Sequence, residues 1–367
     1  MLVPVQAEPT RPRARELGVV VGTLPPGPQN AITDVKGVRV GHTTLRYGEG
    51  PLVPGKGPVR TGVTAILPCP DPWDTRLPAA GFLLNGNGEM TGLAYLNDIG
   101  RLESPILLTN TLNVGRVADA AVTWLIGKHP DIGVTGDVPV PVVAECDDST
   151  LNDIQGRHVG EKEVLAALDG ALEGPVAEGA VGGGTGMVCY QFKGGIGTAS
   201  RRVPDGYTVG VLVQANHGLR EELTVLGVPV GAAMPEAVLP RRSFGSIVMV
   251  VATDAPLSQS QLSRLARHAA IGLARTGAMA HHGSGDLMLA FSTANGIQRG
   301  QEETTQSLTQ LADQRLDPLY QATVEASEES IYNALLGATT TVGRDGARAE
   351  AIDPVRLQEL LRSHGRL

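Results

Sequence analysis

Ser246 begins the apolar stretch SIVMVVA, and Gly245 precedes it at the end of a segment rich in proline and arginine. A serine at the first position of a buried strand occupies the place of an N-terminal nucleophile, whose hydroxyl attacks the preceding carbonyl and cuts the chain. The new α-amine has a pKa of ~7.7–8.0 and can serve as base for its own hydroxyl. Glycine before the scissile bond helps, because it has no Cβ to restrict a strained peptide. On the residues alone, an ordinary serine at a strand end is the simpler interpretation.

Motifs for nucleotide and metal binding are incomplete. The glycine clusters near 86 and 182 do not satisfy GxGxxG, and neither GxxxxGK[ST] nor HExxH occurs. His281 and His282 are adjacent, and neighbouring residues on a strand point to opposite faces, so they do not form a convincing metal pair. The acidic run of Asp147, Asp148 and Asp153 is more simply a solvated turn. We therefore expect neither a cofactor nor a metal.

Composition excludes several classes of partner. The 367 residues carry 30 basic and 38 acidic side chains, a net charge of −8, so a nucleic-acid-binding face is not expected. No apolar run approaches the ~18 residues of a membrane span, so no membrane partner is expected. The three cysteines, Cys69, Cys146 and Cys189, form no CxxC pair or disulfide framework, which favours a reducing, cytoplasmic location.

The order of predicted elements favours a layered α/β sandwich over a Rossmann sheet, because strands and helices mix without a regular βαβ period. Apolar patterns predict strands at 32–40, 63–67, 105–108, 138–144, 207–213, 246–252 and 287–291. Helical patterns are found at 117–126, 161–172, 257–276, 324–336 and 353–361. We expect residues 1–18 to form a flexible arm and residues 19–367 a single domain.

Eight segments in a fixed order carry a family pattern: ITDVKGVRVGHTTL (32–45), NGNGEMTGL (85–93), SPILLTNTLNVG (104–115), GGTGMVCYQFKGGIGTASR (183–201), LVQANHG (212–218), GSIVMVVATDAPL (245–257), RTG (275–277) and GSGDLMLAFSTAN (283–295). The set resembles the DmpA-like L-aminopeptidase/D-esterase family, which includes β-peptidyl aminopeptidases. The resemblance covers nearly the whole chain. It implies a four-layer αββα sandwich related in fold to ornithine acetyltransferase, and a self-cleaving serine hydrolase that needs no cofactor.

The resemblance also implies how the chain is processed and assembled. Ser246 matches the family nucleophile, and cleavage after Gly245 would give an α chain of residues 1–245 and a β chain of residues 246–367. The family forms homotetramers of such cleaved pairs, so a homo-oligomer is expected here.

Further site residues follow from the same resemblance. Ser284 and Asp286 match a second serine and its acidic partner, which relay or orient a proton; taken alone they are a glycine-rich turn. Asn216 matches an oxyanion-hole amide; taken alone it is a turn residue. We expect its neighbour His217, and Lys193 in the glycine-rich stretch 182–197, to be structural, the lysine as an ion-pair partner.

Glu145 matches the family glutamate that binds the free amino group of the substrate. Some relatives continue with threonine and an aromatic residue, whereas this chain has Cys146 and Asp147. The added carboxylate of Asp147 is expected to change the preference for the amine side of the substrate.

Three functions agree with these features. The first is an aminopeptidase, amidase or esterase that acts on short substrates with a free amine through an acyl-enzyme on Ser246. The second is an acyltransferase on the same fold, although ornithine acetyltransferases use threonine as the nucleophile. The third is an unprocessed binding or assembly protein, which the altered segment ECDDST at 145–150 keeps open.

Overall fold

Two β-sheets lie face to face, and helices cover the outer face of each. The computed structural model describes residues 11–235, 239, 245–300 and 305–367. Within those ranges the helices are α1 (Leu93–Ile99), α2 (Val114–Lys128), α3 (Glu161–Asp169), α4 (Gln259–Arg275), α5 (Asp317–Leu336) and α6 (Pro354–Ser363). None of these helices is long and apolar enough to cross a membrane.

The strands belong to one sheet of four strands, one of seven, and two short pairs. They are β1 (Arg39–Tyr47), β2 (Val59–Leu67), β3 (Thr75–Gly86), β4 (Arg101–Leu102), β5 (Ile106–Asn110), β6 (Val142–Cys146), β7 (Val188–Cys189), β8 (Phe192–Lys193), β9 (Gly195–Arg202), β10 (Thr208–His217), β11 (Gly245–Thr253), β12 (Gly285–Ser292), β13 (Ile297–Gln298), β14 (Thr341–Val342) and β15 (Arg348–Ala349). The small sheet has the order β1-β2-β5-β6. The large sheet runs β13-β3-β12-β11-β10-β9, with β4 beside β3.

Successive side chains along each strand point to opposite faces of the sheet, so the core consists of three layers. Between the sheets, Ile66 and Ile106 of the small sheet pack with Val248 and Leu289 of the large one. The opposite face of the large sheet packs on α4 and α5, and that of the small sheet on α2 and α3. The predicted αββα sandwich is therefore confirmed, and its core is mostly aliphatic, as the low aromatic content requires.

Two predicted strands begin and end later in the chain than their apolar patterns indicate. Residues 32–34 form a 3-10 turn rather than a strand, and β1 begins only at Arg39. The carboxylate of Asp34 explains the turn, because it accepts hydrogen bonds from the backbone N–H groups of Gln29 and Ala31. The strand predicted over 138–144 begins at Val142, immediately after Pro141, since proline has no N–H to give to a sheet.

The expected flexible arm is only partly described, since residues 1–10 lie outside the described residues. Residues 11–18 pack against the domain instead of forming a free arm. Arg11 donates to the backbone carbonyls of Leu336 and Ile352, and Arg13 forms an ion pair with Glu178 at 2.7 Å. These arginines bind buried acceptors, which is why a charged, proline-rich segment is held in place.

Candidate active site

Ser246 stands at the start of β11, in the centre of the large sheet. It faces Asn216 across the antiparallel pair with β10 and Gly285 across the parallel pair with β12. Its side chain points toward the layer between the sheets, as does that of Val248 two residues later. The hydroxyl accepts a hydrogen bond of 3.2 Å from the backbone N–H of Gly285, and Ser246 is only 5% exposed.

Gly245 occupies a position that only glycine fits. Its φ of +74° lies in the left-handed region, and a Cβ there would be 1.7 Å from the carbonyl oxygen of Asn216. The peptide before Ser246 is therefore held in a conformation that other residues adopt only with strain. The sequence argument for glycine before a scissile bond and the backbone geometry agree.

The Asn216 side chain is fixed beside Ser246 by two backbone groups. Its Oδ1 accepts from the N–H of Val188 at 2.7 Å, and its Nδ2 donates to the carbonyl oxygen of Asp147 at 2.9 Å. An amide nitrogen carries two hydrogens, and this contact uses one of them. Asn216 thus presents an oriented amide next to the Ser246 side chain, which is the geometry an oxyanion donor requires.

Ser284 and Asp286 lie on the other side of the backbone from the Ser246 hydroxyl. The Ser284 hydroxyl donates to Oδ1 of Asp286 at 2.6 Å. Asp286 points to the helix-covered face, as Met288 does, whereas Ser246 points between the sheets. Burial raises the pKa of Asp286, and the hydrogen bond from Ser284 partly offsets this effect.

The strand register places this pair beside the peptide nitrogen of Ser246. Gly285 pairs with Ser246, so Ser284 comes next to Gly245 in the parallel ladder. The Ser284–Asp286 pair therefore lies close to the backbone nitrogen of Ser246. The Ser246 hydroxyl and the Ser284–Asp286 pair therefore lie on opposite faces of the large sheet.

The loop after β3 holds the segment that carries Ser284, a role that sequence analysis did not assign. Asn85 donates to the carbonyl oxygens of Ala280 at 2.9 Å and His281 at 2.7 Å. Asn87 donates to the carbonyl oxygen of Gly283 at 2.8 Å. The Asn-Gly pattern at 85–88 indicates a turn, but it contains no signal for partners that lie 195 or 196 residues away in the chain.

Glu145 lies at the end of β6 in the small sheet, and both of its oxygens are bonded. Oε1 accepts from the backbone N–H of Glu89 at 3.0 Å, and Oε2 accepts from the Thr111 hydroxyl. Burial raises the pKa of Glu145, and the Thr111 bond opposes that rise. A Cβ on Gly88 would lie 3.1 Å from Oε1 of Glu145 and 3.3 Å from Cα of Gly285. Gly88 therefore bridges Glu145 to the strand beside Ser246.

Asp147 is partly exposed and lies at the same end of the sheets. Its carbonyl oxygen binds Asn216, and its Oδ1 accepts from the backbone N–H of Ser149 at 2.8 Å. The loop that departs from the family pattern thus touches the candidate oxyanion donor. Cys146, one residue earlier, is fully buried against β10 through the carbonyl oxygen of Gln214.

Lys193 is structural, but not through an ion pair. Its fully buried Nζ donates to the carbonyl oxygens of Gly184, Met187 and Gly194 at 3.0, 2.8 and 2.7 Å. Burial lowers its pKa well below the usual value for lysine. The expected ion-pair role is therefore wrong, because backbone carbonyls of the glycine-rich stretch take its three hydrogens.

Among the described residues, one group has three side chains close enough to hold a metal ion, namely Asp71, Asp74 and His129. The His129 ring lies between the two carboxylates, with Nε2 3.0 Å from Asp71 and Nδ1 3.8 Å from Asp74. These contacts describe a hydrogen-bonded cluster in which the imidazole ring lies between two partly or fully exposed carboxylates. It includes no residue predicted for the active site.

Comparison with known proteins identifies the family. The profile described as Peptidase family S58 matches residues 30–349. A β-peptidyl aminopeptidase, BapA of Sphingosinicella microcystinivorans, is 44% identical over 385 aligned positions, covering 100% of this chain and 96% of that protein. The chain belongs to Peptidase family S58. Membership of a peptidase family and the similarity to aminopeptidases indicate that the chain is a hydrolase. The predicted resemblance to the DmpA-like family is confirmed.

Solved structures of similar proteins share the fold over nearly the whole chain. The L-aminopeptidase D-Ala-esterase/amidase from Ochrobactrum anthropi superimposes with a TM-score of 0.91 at 43% identity, covering 97% of this chain and 100% of that one. That protein is described as a prototype for the serine aminopeptidases and a variant of the Ntn hydrolase fold. The PH0078 protein from Pyrococcus horikoshii OT3 gives a TM-score of 0.93 at 48% identity, with coverage of 97% and 100%.

Proposed function

We propose that this S58 protein is a self-processing serine aminopeptidase that also cleaves amides and esters. The observation that carries the proposal is the arrangement around Ser246. Its hydroxyl lies next to the Asn216 amide on one side of the sheet, and the Ser284–Asp286 pair lies beside its backbone nitrogen on the other. An N-terminal nucleophile needs its hydroxyl near an oxyanion donor and its amine near a proton relay.

Processing begins with attack of the Ser246 hydroxyl oxygen on the Gly245 carbonyl carbon. The C–N bond of that peptide breaks, the nitrogen takes up a proton, and Gly245 becomes an ester on Ser246. Water then hydrolyses the ester, which leaves a carboxylate on Gly245 and a free α-amine on Ser246. The left-handed conformation of Gly245 supports this step, because glycine alone can hold its carbonyl here without a Cβ that would clash with the carbonyl oxygen of Asn216.

In catalysis, the α-amine of Ser246 takes the hydroxyl proton as oxygen attacks the substrate carbonyl. Ser284 links that amine to Asp286, whose negative charge stabilises the ammonium that forms. Asn216 donates to the developing oxyanion. The leaving amine or alcohol takes the proton, and water hydrolyses the acyl-enzyme and regenerates the enzyme.

Glu145 is proposed to select substrates with a free amino group, because a buried carboxylate near the nucleophile favours an ammonium partner. Asp147 would add a second carboxylate at the amine side. The names of the relatives support β-peptides, peptides with an N-terminal L-residue, and D-alanine esters and amides as substrates to examine. An acyltransferase is less consistent with the site, because the residue in the nucleophile position is serine and not threonine.

We also propose a homotetramer of processed α/β pairs and a cytoplasmic location. The chemistry requires no cofactor or metal, since every step uses a side chain or a backbone amine of the chain. The three cysteines are free and buried, which supports a reducing compartment.

The test compares the hydrolysis of an amino-acid p-nitroanilide and its N-acetyl derivative by the wild type, Ser246→Ala and Ser260→Ala. The proposal predicts that the wild type and the surface control Ser260→Ala cleave only the substrate with the free amine. Ser246→Ala should lose activity by about 10⁴-fold or more, as expected for removal of a covalent nucleophile. Wild-type activity in Ser246→Ala, or equal cleavage of the acetylated substrate, would contradict it.

A further inference from the structure

A small cavity lies behind Asp286, on the helix-covered face of the large sheet. Its lining includes His217 from β10, Asp286 from β12, Ser284 and Leu273 of α4. The cavity leaves about 10 Å³ for the centre of a water-sized sphere, which is close to the space that a single water molecule needs. It adjoins the proposed proton relay but is separated by the sheet from the Ser246 hydroxyl.

Two buried polar atoms belong to residues that line this cavity. Nε2 of His217 and Oδ2 of Asp286 have no hydrogen-bond partner within the described structure. The Asn85 amide lies close enough to Asp286 to oppose, together with Ser284, the rise that burial causes in the pKa of this carboxyl. His217 is 4% exposed and Asp286 is 1% exposed. Buried polar atoms in folded proteins are nearly always paired, with protein or with ordered water, so a shared partner in this cavity satisfies both.

The surroundings of His217 determine which nitrogen carries its proton. Burial lowers its pKa to about 3, so the ring is neutral when the enzyme works. Sγ of Cys189 lies 3.8 Å from Nδ1, and burial raises the pKa of Cys189 to about 12, so the thiol keeps its proton. A thiol that donates to Nδ1 leaves the imidazole proton on Nε2, the nitrogen that has no partner in the described structure.

We propose that the cavity binds one water molecule, which accepts a hydrogen bond from Nε2–H of His217 and donates one to Oδ2 of Asp286. His217 is then a positioning residue for the Ser284–Asp286 pair, and this role rests on the proposed function. The water fixes the second oxygen of the carboxylate, so that Oδ1 stays directed at the Ser284 hydroxyl. The expectation that His217 is merely structural is replaced by a specific polar role.

The kinetic test compares His217→Phe, which keeps a ring of similar size without nitrogen, with His217→Gln, whose terminal amide lies near the place of Nε2. His42→Phe is the matched control, because His42 is also a buried imidazole with an unpartnered Nε2, but it lies on β1 in the small sheet. Each variant is first examined for processing by denaturing mass spectrometry and for its melting temperature.

The proposal predicts that His217→Phe lowers kcat about tenfold or more, because the carboxylate of the relay loses a fixed position. KM should stay unchanged, because Glu145 is untouched. His217→Gln should recover most of kcat, and His42→Phe should change only stability. Equal kcat loss in His217→Phe and His217→Gln, or no loss in either, would overturn the proposal.

A crystal structure of the wild type at about 1.5 Å resolution tests the water directly, whatever the variants do. The expected result is one ordered water within about 3.2 Å of both Nε2 of His217 and Oδ2 of Asp286. A dry cavity, or a direct bond between the two side chains, would refute it. The proposed function fails on a different result, namely full activity of Ser246→Ala, so the two failures can be told apart.

Discussion

At the residue scale, the active site depends on side chains whose roles come from partners far away in the chain. Glu145 is bonded by Thr111, 34 residues away, and by the backbone of Glu89, 56 residues away. The family resemblance named Glu145 but could not supply these partners. A local sequence pattern does not indicate contacts between two distant loops. These contacts of Glu145 form only when β5 and β6 pair and the loop after β3 packs on them.

These partners give a prediction for the amine site. Glu145→Gln keeps an acceptor for the Glu89 N–H but replaces an ionic hydrogen bond with a neutral one, so KM for a free-amine substrate should rise about five- to tenfold. Because burial raises the pKa of Glu145, its charge is lost as the pH falls through that raised value. Wild-type KM should therefore rise toward acidic pH, whereas the KM of the variant should not.

Steady-state kinetics between pH 5 and pH 9 measure both effects, and Glu89→Gln is the control. Glu89 has an exposed side chain, and its contact with Glu145 is made by the backbone. The assignment of Glu145 would be wrong if the two variants changed KM alike.

At the element scale, side chains that alternate along the strands of the large sheet place Ser246 on one face and Asp286 on the other. Apolar periodicity located β11 and β12 well, because both are continuous buried runs whose identity does not depend on distant contacts. The pattern failed at 32–34, where the Asp34 side chain binds the N–H groups of Gln29 and Ala31 and so fixes a turn just before the predicted strand. It also could not show that Ser246 and Asp286 face opposite sides of the sheet, since that requires the register between β11 and β12.

The loop after β3 gives a second prediction. Gly88→Ala places a Cβ 3.1 Å from Oε1 of Glu145 and 3.3 Å from Cα of Gly285, so one of them must move. We expect KM to rise and kcat to fall, so that kcat/KM decreases about tenfold. Small displacements of groups at an active site usually have an effect of this size. Gly86→Ala is the matched control, because its Cβ would meet only Leu83 at an ordinary 3.5 Å.

Kinetics and melting temperature of both variants, measured side by side, check this prediction. Gly86→Ala should retain wild-type kcat/KM, and both proteins should melt near the wild type. A loss of activity of the same size in the two variants would show that the loop has no specific role at Gly88.

At the scale of the whole molecule, buried charge links the two proposed chains. Arg201 lies in the predicted α chain, and it binds Glu329 at 2.6 Å and Glu325 at 3.1 Å, both on α5 of the predicted β chain. Arg15 joins the same Glu329 at 2.9 Å. Sequence alone did not reveal this network, because the paired side chains lie 124 to 314 residues apart in the chain. Since β11 is also paired between β10 and β12, cleavage after Gly245 should leave the fold assembled.

The central claim is cleavage at Gly245–Ser246, and intact mass measured under denaturing and native conditions tests it most directly. Denatured wild type should give pieces of about 25 and about 13 kDa, in proportion to chain length, while Ser246→Ala gives a single species of 38.2 kDa. Under native conditions the wild-type pieces should remain together. A single 38.2 kDa species from aged, denatured wild type would contradict the account, as would equal cleavage of Ser246→Ala.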